Sequence, residues 1–322
     1  MPESQAEPPS VSIVVPCYNH AHFVTETIDA VLAQDYPHFE IIIVDDGSTD
    51  NSAEVVQAYE DPRVRYVYRE NGGLPAARNT GIKNARFAFI GFLDADDTWE
   101  PRFLRMVMAK FAELGEDYGI VVSNRRYIDE HGNSVGHRTQ LSTPGREVTQ
   151  RELIQQTFFS TALIVRAAVF EKVGLFDETL RSTEDRDMWI RTSSAFKIFW
   201  MTEKMAMIRR HSDQMSGNAV RMLDANKTVL GKAWRAGYVS KLNILFWLRA
   251  WSLTYYNLTW TAYDHGARWR AIRHTIWSIL LWPFVRNPNW INQPPLFRIR
   301  ALRNFLFLPP PPDREEADGA EA

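Results

Sequence analysis

Three aspartates, Asp94, Asp96 and Asp97, follow directly on the apolar run Phe87 to Leu93. Carboxylates two residues apart beside a strand end can both reach one hard divalent cation, which prefers oxygen ligands and can bridge a diphosphate. A solvated acidic turn is the plainer alternative, but clustered like charges are costly without a counterion, so a cation accounts for them better. A second pair, Asp45 and Asp46, ends the run Glu40 to Val44 and precedes Gly47-Ser48-Thr49-Asp50. Carboxylates in that position can accept hydrogen bonds from a base N–H or from ribose hydroxyls. Reading Gly47 as a turn and Ser48 or Asp50 as a helix cap explains the residues that follow, yet leaves Asp45 and Asp46 without a reason.

Asn71 to Asn79 reads as a glycine-rich loop, with Gly72 and Gly73, opening a helix of small residues that carries Arg78 one turn in. A guanidinium so placed can turn toward phosphate oxygens; an ordinary loop would explain the glycines and Pro75 but gives Arg78 no duty. Glu184, Asp185 and Asp187 stand at the head of a predicted helix, where the helix dipole favours acids whatever their function. His211 closes a predicted strand, Met205 to Arg210, and by position alone it reads more readily as a surface residue than as a ligand.

These groups need a frame. Short β-branched runs at Val11 to Val15, Glu40 to Val44, Val64 to Tyr68 and Phe87 to Leu93 alternate with helical stretches near Thr25 to Ala33, Ser52 to Tyr59 and Ala76 to Ala85. That alternation predicts an α/β fold with a mostly parallel sheet covered by helices, a further helix starting near Pro101 and a strand over Tyr118 to Ser123. Ligands of open α/β sheets bind beyond the carboxyl ends of the strands, where Pro16-Cys17-Tyr18-Asn19 and the acidic pairs lie.

The sequence has 322 residues, 45% of them hydrophobic, enough for one large domain and an appended segment. Its net charge of -2 hides a strong asymmetry: residues 204 to 304 carry 16 Lys or Arg against three Asp, a net of +13. Eight of the 11 tryptophans fall between Trp234 and Trp290, and β-branched runs give way there to long helical stretches. We therefore expect a catalytic domain over 11–215, a basic helical segment over 216–307, and disordered ends at 1–10 and 308–322. No apolar run is long and uninterrupted enough to span a bilayer, so amphipathic helices lying on an anionic membrane are expected, or helices that pack their aromatics on the catalytic domain. Cys17 is the lone cysteine, expected as a buried inert thiol, and Met1 to Ser10 supplies no apolar run to suggest export, so the catalytic part is expected in the cytoplasm. A dehydrogenase would need Gly-x-Gly-x-x-Gly where Pro16 to Asn19 stand, and a phosphate-loop NTPase would need Gly-Lys-Ser/Thr, which does not occur. A nucleotidyltransferase, or a membrane-bound scaffold without catalysis, remains as an alternative.

Taken in order, Ser12 to Asn19 (SIVVPCYN), Val44 to Asp50 (VDDGSTD), Gly73 to Asn79 (GLPAARN), Phe92 to Asp97 (FLDADD) and Glu184-Asp185 closely resemble glycosyltransferase family 2, with its GT-A fold, over roughly residues 10 to 215. The resemblance implies a nucleotide site drawn from Pro16, Tyr18, Asn19, Asp45, Asp46, Gly73, Arg78 and Asp94, with Tyr18 and Asp46 on the base. It implies Asp94 on the ribose or the metal, Asp96 on the metal, and Asp185 as catalytic base. Arg209 to Ser216 resembles the family's later histidine motif, which would make His211 a further ligand of Mg²⁺ or Mn²⁺. The implied reaction is transfer of a sugar, with inversion, from a nucleotide-sugar donor to a glycan or lipid-linked acceptor. The basic, tryptophan-rich segment adds the inner face of the plasma membrane as the expected place, and no nucleic-acid partner is expected.

Overall fold

The computed structural model describes residues 8–135, 145–155, 162–211, 219–264, 266–284 and 296–307; the expected disordered ends fall almost wholly outside them. The chain divides into two compact units, a larger one ending at His211 and a smaller one that takes residues 150–155 and the helices from 219 onward.

In the larger unit β1 (Val11–Cys17) and β2 (Phe39–Asp45) are buried along their whole length, as continuous β-branched runs in a two-sided parallel sheet must be. Helix α1 (Ala21–Leu32) joins them and buries Val24, Thr27, Ile28 and Val31, one stripe at helical spacing. Helix α2 (Ser52–Gln57) leads to β3 (Val64–Tyr68), and α3 (Leu74–Asn84) leads to β4 (Phe89–Phe92). The strands run β3-β2-β1-β4, all parallel, so the chain reverses its winding between β1 and β4. A crevice opens at the carboxyl ends of the strands at such a reversal. Pro16 is tolerated there because the β1–β4 ladder ends where the Leu93 N–H donates to the Val14 carbonyl, before a proline N–H would be needed.

The other half of the sheet is mixed. After β5 (Thr98–Trp99) and α4 (Phe103–Leu114) come β6 (Tyr118–Ile128), the short β7 (Ser134–Val135) and β8 (Arg146–Glu147), and α5 (Gln150–Gln155). Then β9 (Leu163–Arg166) runs antiparallel to both β4 and β6, α6 (Ala167–Val173) and α7 (Glu184–Thr192) follow, and β10 (Lys197–Arg209) lies parallel to β6. The expected strand Met205 to Arg210 is thus the end of a strand twice as long. The sheet order closes as β4-β9-β6-β10-β5.

One face of β1 (Ile13, Val15, Cys17) shares a core with α1 and α4; burial pushes the Cys17 thiol up to about 11, in keeping with an inert side chain. On the other face α3 lies so close that a Cβ on Gly81 would stand 2.2 Å from Val14 Cγ1. Alanine is normally the better helix residue by about 1 kcal/mol, but overpacking here wins, so Gly81→Ala is expected to destabilise by about 1–3 kcal/mol in urea titrations. Adding Val14→Ala restores most of that loss if contact with Val14 is its cause.

The smaller unit holds α8 (Ala219–Ala236), α9 (Ile244–Asp264), α10 (Arg268–Leu281) and α11 (Phe297–Phe307). Tyr263, Ala271, Ile272, Ala301 and Phe305 form a core of its own, joined by Trp260. Part of the tryptophan-rich segment therefore packs within its own bundle, Trp247 and Trp260 included.

Candidate active site

The loops after β1 and β2 are stitched into one rim. Asn19, at φ 56°, accepts from the Thr49 N–H at 2.7 Å, and its own N–H donates to Ser48 Oγ at 3.0 Å. Asp50 accepts from the N–H groups of Ala21 and Ser52, the first residues of α1 and α2. Its carboxylate therefore serves two helix N-termini, a wider version of the capping role expected from sequence. Tyr18, 47% exposed, is free of this lattice and available to stack on a planar ligand.

Asp45 and Asp46 are both buried. Asp45 accepts from the Ser48 N–H at 2.8 Å and from Tyr66 Oη at 2.6 Å. Asp46 accepts from Arg69 and from the N–H groups of Gly72 and Gly73, at 3.1 and 2.7 Å. The acid assigned to the base by resemblance thus also fixes the glycine loop against β2. Gly73, at φ 87°, opens α3 in a conformation that disfavours other residues.

One turn into α3, Arg78 is 2% exposed. Its guanidinium donates to Glu184 Oε1 at 2.6 Å and to Asp94 Oδ1 at 3.0 Å, tying the head of α7 to the end of β4. Arg78 Nε is buried without a hydrogen-bond partner among the described residues. Asn79 beside it is structural, holding the backbone of Phe176 through both ends of its amide.

Asp94 keeps 31% of its side chain exposed. Burial pushes its carboxyl upward, Arg78 opposes this and the neighbouring Asp96 adds to it, with a net rise. Asp96 Oδ2 lies 2.9 Å from His211 Nε2. Burial alone would raise the Asp96 carboxyl, but the hydrogen bond from His211 and the charges of His20 and His211 hold it below the usual range. Asp97 turns away from these groups: its Oδ1 accepts the Arg209 N–H at 2.9 Å. Arg209, buried at the end of β10, donates to the carbonyls of Asp96, Asp129 and Glu130 and to Glu26 Oε2, which sets His211 opposite Asp96. Thr27 on α1 donates to the carbonyls of Ala95 and Asp97, fixing the acidic turn from beneath.

Among the described residues no three His, Cys, Asp or Glu side chains converge into a ready-made metal cage. Asp96 and His211 are adjacent, and Asp94, two residues before Asp96, is paired with Arg78 and partly exposed. Two carboxylates suit Mg²⁺ or Mn²⁺, whose remaining positions a diphosphate can fill, and the imidazole of His211 favours the transition ion Mn²⁺ over Mg²⁺. The donor chemistry fits.

Asp185 is buried at the second position of α7, accepting the Arg186 N–H at 2.7 Å. Burial first, and then the charge of Glu184, push its carboxyl up to about 7 in spite of Arg78. The residue ahead of this helix, Thr183, has φ 59°, which is strained for a β-branched side chain, and the hydroxyls of Ser182 and Thr183 are buried without hydrogen-bond partners among the described residues. Asp187 is engaged instead by Arg191 Nε at 2.9 Å.

The profile described as Glycosyl transferase family 2 matches residues 12–174, half of the chain. The chain belongs to this family. It is 31% identical over 237 residues to an uncharacterized glycosyltransferase of Rickettsia prowazekii, covering 73% of each chain. Two solved structures share the GT-A type fold. A mannosyltransferase, PcManGT from Pyrobaculum calidifontis in complex with GDP-Man and Mn²⁺, aligns over 94% of this chain and 86% of its own, with TM-score 0.59 and 17% identity. The S. aureus TarS fragment 1-349 in complex with UDP-GlcNAc aligns over 84% and 91%, with TM-score 0.54 and 20% identity.

For this family member the structure brings Asp94, Asp96 and His211 to one end of the sheet and links Asp94 through Arg78 to the Glu184-Asp185 pair. Sequence reasoning missed the supports: Thr27, Glu26, Tyr66, Arg69 and Arg209. Each acts across a separation of 20 residues or more, and no local pattern marks the first four; Arg209 was visible only as the opening residue of the histidine motif, without its supporting role.

Proposed function

We propose that the chain transfers a sugar, with inversion, from a nucleoside diphosphate donor to a hydroxyl of a glycan or lipid-linked acceptor in polysaccharide or glycolipid synthesis. The observation that carries this is the buried Arg78 bridge, which sets a carboxylate of raised pKa beside the strand-end acids. Tyr18 and the rim after β2 receive the base and ribose. Asp94, Asp96 and His211 hold Mg²⁺ or Mn²⁺, which when bound neutralises charge on the departing diphosphate. Asp185 removes the proton of the acceptor hydroxyl as it attacks the anomeric carbon, and the C–O bond to the diphosphate breaks on the opposite face. The mannosyltransferase and TarS complexes contain GDP-Man and UDP-GlcNAc, which supports the donor class; a UDP-sugar is the first candidate. The basic helices of the smaller unit hold the enzyme against the inner face of a membrane where a lipid-linked acceptor resides.

A screen of nucleotide sugars by thermal stabilisation, with and without divalent metal, tests the donor and metal together, since a ligand at 100 times its Kd adds about 2.7 kcal/mol. Asp96→Ala is expected to lose the metal-dependent part of that stabilisation. Full donor affinity in excess chelator would overturn the metal assignment, and release of pyrophosphate instead of a nucleoside diphosphate would make the chain a nucleotidyltransferase.

A further inference from the structure

Helices α10 and α11 form an antiparallel pair, each closed by an arginine of the other. Arg298, near the start of α11, donates to the carbonyls of Ser278 and Trp282 at the end of α10, both at 2.9 Å. Arg268, at the start of α10, donates to the carbonyls of Phe305 and Leu306 at the end of α11. Cations at helix C-termini satisfy the free carbonyls and the dipole, so these two arginines are used inside the bundle. The inner faces are closed by Ala271, Ile272, Ala301 and Phe305, and by Ser252 Oγ of α9 donating to the Ser278 carbonyl at 2.7 Å.

The outer faces are built differently. On α10 the exposed stripe runs Trp269, Arg270, Arg273, Ile276, Trp277, Leu280 and on to Phe284, with Trp269 77% and Phe284 83% exposed. On α11 it repeats the spacing: Ile299, Arg300, Arg303, Leu306, Phe307. No Asp or Glu occurs in the sequence between residues 265 and 312. No helix among the described residues is long and apolar enough to cross a bilayer, so these stripes meet any membrane from its surface.

We infer that the exposed stripes of α10 and α11 are a docking face for a bilayer rich in anionic lipid, which the helices meet lying flat. This sharpens the membrane contact proposed above to particular residues and to one lipid charge. Guanidinium groups reach the headgroup phosphates while Trp269, Trp277, Leu280, Leu306 and Phe307 lie at the acyl boundary. A second copy of the chain fits the face poorly. A two-fold interface opposes a patch to itself, and here that sets arginine against arginine with no acid between them.

Flotation of the full chain with vesicles tests the inference, using phosphatidylcholine alone and an equal mixture with phosphatidylglycerol. The chain is expected to float with the mixture and far less with phosphatidylcholine. Each arginine removed weakens partition roughly five-fold, so Arg273→Gln/Arg303→Gln loses about 25-fold. Trp277→Ser/Leu280→Ser is expected to lower binding to the mixture as well, with circular dichroism and donor binding unchanged in both variants. Absence of flotation with the mixture, flotation unaltered in both variants, or a dimer that the variants dissociate while nothing floats would each overturn the docking face. Donor binding is read separately: a chain that binds a nucleotide sugar without floating overturns this inference alone, and one that floats without binding any overturns the transfer reading alone.

Discussion

Replacing Asp185 with asparagine is expected to lower turnover by roughly 10²- to 10⁴-fold, to leave donor and metal binding nearly unchanged, and to raise the melting temperature at pH 8. The last effect follows from the sign of the shift. Burial and the nearby Glu184 push the Asp185 carboxyl up to about 7, whereas in the unfolded chain an aspartate titrates at about 3.9. A group raised on folding contributes stability that is complete below the unfolded value and lost as pH climbs through the folded one, here between about 4 and 7. Asparagine cannot ionise and escapes that loss. Were Asp185 only a buried acid in the first turn of α7, the same burial would still raise the melting temperature of the asparagine variant, and turnover would be spared. Turnover therefore decides between the two readings, and the melting temperature checks the shift itself. The same ionisation sets the pH profile: a base must be deprotonated to act, so kcat/KM is expected to rise through about pH 7 and the rise to vanish in Asp185→Asn. Asp187 is the comparator. Its carboxylate is held by Arg191, which also donates to the carbonyls of Val173 and Leu175, so Asp187→Asn is expected to cost stability and to keep the profile. Near-normal turnover in Asp185→Asn with collapse in Asp187→Asn would move the base to Asp187.

The parallel half of the sheet was readable because burial on both sides leaves an unbroken β-branched signature in β1 and β2, with turn residues after each. The antiparallel strand β9 was not, since Leu163 to Arg166 runs straight into Ala167-Ala168-Val169-Phe170, and a short apolar run has no period that separates strand from helix. Pro101 marked the start of α4 only to within two residues, the helix opening at Phe103 with Arg102 before it. At the site, residue types were legible and their allegiances were not. Asp97 looked like a third site acid, and the structure gives it to the Arg209 backbone. Glu184 looked like a dipole acid, and it is the buried partner of Arg78, 106 residues away. Which carboxylate faces a ligand and which faces a backbone N–H is decided by tertiary packing, and spacing along the chain carries no record of it.

Arg78 is where that distinction has the largest energetic consequence. From sequence its guanidinium could turn toward phosphate oxygens; in the fold it is buried between Asp94 and Glu184 and lies 5.7 Å from the centre of the Phe176 ring. Removing one partner of a buried ion pair leaves the other charge without compensation, so Arg78→Met is expected to destabilise the larger unit by about 3–5 kcal/mol in urea titrations. Glu184→Gln removes the charge that would be stranded. The double variant Arg78→Met/Glu184→Gln should therefore cost less than the sum of its parts, with a coupling of about 1–3 kcal/mol. Arg78→Lys recovers only part of the loss, because an ammonium is a compact point charge and cannot span two acids as the planar guanidinium does at 2.6 and 3.0 Å. If Arg78 instead served mainly to bind the donor, the single variants would unfold at nearly the wild-type urea concentration, the stability cycle would show no coupling, and the loss would appear as a weaker donor Kd in Arg78→Met alone.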